Sequence, residues 1–139
     1  MHFDDALKDL PVLFCSLFVS ILFIQSGLDK VFDRKGNLEW LMGHFEKTIL
    51  NGTVPLLLFT ITILEIVTGV LAVGGIIYLV ATGSRLVAFI ASIAGASALS
   101  ALFFGQRVAK DYAGAAVLVP YFILLIILMY LSNPFTKAV

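Results

Sequence analysis

Charge is scarce in this chain. Only 13% of its 139 residues are Asp, Glu, Lys or Arg, against about 25% in soluble domains. Nine basic and nine acidic residues cancel, so no basic field exists to recruit nucleic acid. The single cysteine, Cys15, excludes an internal disulfide, a CxxC redox pair and a thiolate zinc site. Within an apolar run it reads as packing rather than as a nucleophile. The two histidines, His2 and His44, fall outside the long apolar runs, which argues against a bundle-core haem held by two of them. No HExxH, EF-hand, Walker or GxGxxG pattern occurs, and no metal site is expected. The N-terminus carries Asp4, Asp5, Lys8 and Asp9 where a signal peptide has a basic segment and a small-residue cleavage site. The first apolar run is therefore expected to remain as a membrane anchor.

Apolar residues are what the chain has in excess. They make up 60% of it before glycine is counted, with a mean hydropathy of +1.06. Soluble domains reach about 45–50% with glycine included. One small core cannot hide that much apolar surface, so lipid must cover part of it. The expectation is an all-α membrane protein of one domain, residues 1–139.

A membrane-crossing helix needs about 20 mostly apolar residues, because the hydrocarbon layer is roughly 30 Å thick. Four stretches fit, at about 11–28, 55–77, 85–104 and 113–131. Pro11 suits a helix start. The second stretch stays apolar to Ala81, so it either tilts or breaks near Gly74-Gly75. Pro120 predicts a kink in the fourth, and Asn133-Pro134 its end. Between the first two, Leu38, Leu41, Met42, Phe45 and Ile49 recur at helical spacing, with Trp40 suited to the interface. Asn37 is a plausible N-cap and Asn51-Gly52 a plausible stop, giving an interfacial amphipathic helix over about 37–50. The alternative is a helix tucked against the rim of a four-transmembrane-helix bundle.

The third span is small on almost every side, from Ala88 through Ser92, Gly95 and Ala98 to Ala101, and is expected to be the most enclosed. Residues 122–131 are mostly large aliphatics and read as lipid-facing. Ser16 and Ser20 share a face and are expected to hydrogen-bond across helices. Tyr112, Tyr121 and Tyr130 lie on the fourth span, two of them marking interfaces. Lys30, Arg34, Lys35, Lys47, Arg107 and Lys110 fall on one side of the bilayer, and Lys8, Arg85 and Lys137 on the other. Positive-inside counting puts the first side in the cytoplasm.

Glu65 carries the strongest functional signal. An acid at mid-depth costs on the order of 2.5–3.5 kcal/mol on insertion scales, so it should face the bundle interior and find a partner. Thr62, Thr68, Gly69 and Ala72 share its small, polar face. Such a residue can ligate a quinone headgroup, handle a proton or contact a substrate; it can equally be a structural acid bonded to a neighbouring helix. Gln25 and Lys30, at the end of the first span, are candidate partners, although a lysine there snorkels outward to lipid phosphate by default. Arg85 is a weaker candidate and reads first as a headgroup anchor. No self-contained catalytic set appears.

Two segments carry a resemblance. Residues 22–33, with Gln25-Ser26-Gly27-Leu28-Asp29-Lys30 at their centre, resemble the glycine-x-x-lysine end of helix one in the DoxX-like family of small bacterial four-helix membrane proteins, which includes MauE-type relatives. Residues 64–74, containing Glu65, Gly69 and Gly74, resemble that family's glutamate and glycine pattern in helix two, and Arg85 fits its start of helix three. The resemblance implies a multi-pass protein of the bacterial inner membrane that serves a redox or quinone-linked system as an accessory subunit. Some members accompany thiosulfate:quinone oxidoreductase, others methylamine dehydrogenase maturation or oxidative-stress complexes. Related eukaryotic members keep both termini cytosolic, which opposes the loop-charge count. A non-catalytic assembly subunit and a small-molecule or proton transporter are the alternatives. The expected partners are the lipid bilayer and another membrane protein or a second copy of the chain.

Overall fold

The computed structural model describes residues 3–135; His2 and Lys137 lie outside the described residues. Five helices follow one another: α1 Phe3–Phe32, α2 Arg34–His44, α3 Val54–Thr82, α4 Leu86–Val108 and α5 Tyr112–Ser132. No strand occurs among the described residues. All but α2 are long and apolar enough to cross a membrane. α3 packs on α1 and on α4, α4 packs on α5, and α1 closes more weakly against α5.

α1 begins well before Pro11, which sits inside it. Proline removes the bond to the carbonyl four residues back. The helix survives because Asp4 and Asp5 favour its positive end and because Asp9 is buried in an ion pair that fixes this first stretch. α3 runs unbroken through Gly74-Gly75 and stops at Gly83, whose φ of +77° is the left-handed cap that glycine tolerates. Gly75 is a contact point rather than a hinge: a Cβ there would lie 2.9 Å from the backbone nitrogen of Ala88 on α4. α5 starts where Asp111 accepts a 2.9 Å hydrogen bond from the Gly114 amide, an N-cap that satisfies an otherwise unpaired donor.

The short helix differs from its expected form. It starts at Arg34 and ends at His44. Asn37 lies inside it, its side-chain amide donating to the Asp33 carbonyl at 2.8 Å instead of capping. Residues 45–53 form turns, closed by Gly52 at φ +88°. The helix ends early because Phe45 turns inward and is buried, while Met42 and Ile49 stay exposed. Leu38 and Leu41 pack against the bundle. The stripe therefore divides between the core and the outside.

α4 is the most enclosed of the four long helices and α5 the least. Its Ala88, Ala91, Ser92, Gly95 and Ala98 are buried, and small side chains let neighbouring helices approach closely in lipid. On α5, Leu125 and Leu128 are buried while Ile123, Ile126, Ile127 and Tyr130 are exposed, so the aliphatic stretch faces both ways. Ser16 and Ser20 do not bond across helices. The Ser20 hydroxyl donates to the Ser16 carbonyl one turn back, at 2.7 Å, and the buried Ser16 hydroxyl has no partner among the described residues. A serine in an apolar helix finds its own backbone acceptor before it finds a neighbour's.

Candidate functional site

α1 and α3 run antiparallel and meet through two glycines. A Cβ on Gly27 would lie 2.7 Å from Cγ1 of Ile66, and one on Gly69 would lie 2.5 Å from Cγ1 of Ile24. Each glycine thus receives an isoleucine of the other helix, and the close approach sets Lys30 beside Glu65. The Lys30 ammonium donates to Glu65 Oε2 at 3.2 Å and to the Ser26 hydroxyl at 2.9 Å. Its distance to Glu65 Oε1 is 3.1 Å, but outside hydrogen-bonding angle, so that oxygen accepts no hydrogen bond. Glu65 is 1% exposed and Lys30 16%.

Lys30 therefore turns inward rather than snorkelling out. Helical side chains lean toward the N-terminus, which carries the ammonium back over Ser26 and into the bundle. The acid that costs most to bury finds its counter-charge across the helix pair, as intramembrane acids do. Gln25, by contrast, is exposed on α1 and takes no part in this pair. Glu65 also lines neither flanking cavity, although its neighbours Leu64 and Ile66 do. The pair is closed.

Arg85 sits at the other end of the bundle. Its Nε donates to Asp9 Oδ1 at 2.9 Å, Nη2 reaches the same oxygen at 2.5 Å, and Nη1 donates to the Leu131 carbonyl at 2.7 Å. One guanidinium thus joins α1, the start of α4 and an unpaired carbonyl in the last turn of α5. Asp9 was not singled out by sequence reasoning; its signal was an acid placed two residues before Pro11. Asp9 and Lys30 lie about 30 Å apart along α1, close to the hydrocarbon thickness. Arg85→Leu is expected to cost about 1–3 kcal/mol by leaving the buried Asp9 carboxylate unpaired, partly screened because this end is wetter. Equilibrium unfolding in mixed micelles reads it.

A third polar group joins α2 to the α4–α5 turn. His44 Nε2 lies 2.9 Å from Gln106 Oε1 and 3.7 Å from Asp111 Oδ2. The Trp40 ring stacks on His44 at 4.5 Å between centroids, and Arg107 sits 4.4 Å over the ring of Tyr112. Sequence alone does not pair His44 with Gln106 or Asp111, which lie more than sixty residues further along the chain. Among the described residues no three His, Cys, Asp or Glu side chains converge as metal ligands would. No protein-family model matches the chain, and no curated protein or solved structure matches it.

Proposed function

We propose that this multi-pass chain is a DoxX-like accessory subunit of a redox or quinone-linked system in the bacterial inner membrane, with α2 lying at the membrane surface. The observation that carries the reading is the Lys30–Glu65 pair. It joins the two segments that hold the resemblance, since Gly27 and Lys30 come from one and Glu65 and Gly69 from the other. Buried intramembrane charges are costly and concentrate where function needs them. Exposed Trp40 and Met42 on α2 suit a helix resting among headgroups.

The experiment is gentle purification from native membranes, followed by native mass spectrometry and assay of quinone-linked activity. Wild-type protein is expected to carry an oxidoreductase with it, and Glu65→Gln to weaken either that association or its activity. Glu65→Gln protein with intact assembly and intact activity ends the site assignment, and recovery of monomer alone ends the accessory role.

A structural role is the second reading, and the closure of the pair favours it. A carboxylate held by Lys30 and reached by no adjoining cavity pins α1 to α3 whether or not it touches a ligand. A double variant, Lys30→Met with Glu65→Leu, separates the two readings: a structural pair tolerates it with partners retained, and a working site does not.

A further inference from the structure

The outward face of α1 carries a repeat that packing inside the bundle does not use. Phe14, Phe18, Ile21, Gln25, Leu28 and Phe32 follow one another at alternating steps of four and three residues, and all six are exposed. A 3.5-residue repeat is the seam of a left-handed pair of helices, built from its a and d positions. This seam covers about 27 Å of α1 at 1.5 Å per residue. Val12, Ser16, Val19 and Phe23 are buried in the bundle, and each precedes a seam position by two residues, a rotation of about 200°. The seam therefore lies on the opposite side of α1 from its contacts within the fold.

Five of the six side chains are at home in lipid; Gln25 is not. From Leu10 to Leu28 the helix carries no charge, and Gln25 lies one turn inside the end that Asp29 marks. It is the only exposed polar residue of that stretch, since Ser16 and Ser20 are buried and Ser26 is half-buried. Exposed hydroxyls elsewhere close on their own helix, Thr60 on the Leu56 carbonyl and Ser97 on the Ile93 carbonyl. The Gln25 carboxamide makes no such bond among the described residues, and the hydrocarbon layer offers it neither donor nor acceptor. A carboxamide both donates and accepts, so its own complement is a second carboxamide. Two copies inserted in the same orientation hold Gln25 at the same depth, and a two-fold axis along the seam brings the two face to face. Each can then donate to the oxygen of the other. A lone polar residue at an a position fixes register and partner number in such seams. We infer that the chain forms a parallel homodimer through the outward face of α1, with the two Gln25 side chains hydrogen-bonded to each other at its polar centre. α1 would then join α3 on one side and a second copy on the other. The proposal goes beyond the redox reading and does not rest on it.

Disulfide cross-linking of the full chain in membranes tests the seam. Cys15 is the only cysteine, so Cys15→Ser gives a background in which single cysteines replace Phe14, Phe18, Ile21, Gln25 or Leu28 in turn. Mild oxidation is expected to produce dimers at these positions, where a disulfide needs Cβ atoms about 3.5–4.5 Å apart. Cysteines replacing Ile77 on α3 or Ile126 on α5, which are also exposed, should stay monomeric. Energy transfer between donor- and acceptor-labelled copies, followed as liposome lipid dilutes them, measures the association itself. Gln25→Leu should weaken it about tenfold, the product of two intramembrane hydrogen bonds at about threefold each. Gln25→Asn keeps the carboxamide and should lose much less. Monomer at every seam position, or cross-linking as strong at Ile77 and Ile126, overturns the interface. Association unchanged by Gln25→Leu, or weakened equally by the Leu and Asn variants, overturns the carboxamide pairing on which the second copy was chosen. None of these results bears on whether an oxidoreductase accompanies the chain.

Discussion

Lys30→Met is expected to destabilise the protein by about 3–5 kcal/mol, the cost of leaving one member of a buried ion pair without its partner. Glu65 is 1% exposed and its Oε1 already accepts no hydrogen bond. Removing the ammonium strips Oε2 of its one charged donor as well. The Ser26 hydroxyl, which accepts from Lys30, loses that donor at the same time. The double variant Lys30→Met with Glu65→Leu should recover most of the loss, because replacing a whole buried pair by apolar side chains is often neutral or stabilising. Equilibrium unfolding in mixed micelles, followed by Trp40 fluorescence, supplies all four corners of the cycle. Additive single effects, with a coupling near zero, would show that the two side chains do not interact in the membrane.

That pair also marks where sequence reading succeeds and where it stops. Glu65 was legible because an acid among Ile and Leu at membrane depth has no other explanation than a partner. Lys30 was legible only as a candidate, because a lysine near a helix end has two directions to turn, and the choice depends on how closely α1 approaches α3. Gln25 looked equivalent to Lys30 by distance along the chain, yet it lies on a face of α1 that points away, exposed. The four long helices were readable from apolar run length. Their ends were not: Asp9 and Arg85 extend α1 beyond its apolar run by pairing across the fold, which no local pattern encodes. The inward turn of Phe45 was hidden for the same reason. The stripe of Leu38, Leu41, Met42, Phe45 and Ile49 predicts one continuous helix, whereas Phe45 leaves the helix to fill space beside Gly105.

Gly69→Val is expected to cost about 1–3 kcal/mol through overpacking alone, and to take the ion pair with it. The first atom added at position 69 meets Ile24 Cγ1 at 2.5 Å, the Ile24 nitrogen at 3.0 Å and its Cα at 3.3 Å. A side chain can rotate aside, but the backbone of α1 cannot, so the helices must separate. Ile24 and Lys30 lie on the same helix, and Gly69 sits one turn from Glu65, so separation lengthens the Lys30–Glu65 contact directly. Ile24→Ala added to Gly69→Val should restore part of the stability by removing the side-chain clash, and leave the backbone share uncorrected. Gly43→Ala provides the opposite sign. Nothing lies within 4 Å of a Cβ built there, it sits in the last turn of α2, and alanine in place of a helical glycine stabilises by about 0.4–1 kcal/mol. The same cycle run with Lys30→Met tests the coupling: once the ion pair is gone, Gly69→Val should lose the part of its effect that came from pulling the pair apart. An undiminished Gly69→Val effect in that background would mean that the glycine contact and the ion pair stabilise the α1–α3 interface independently.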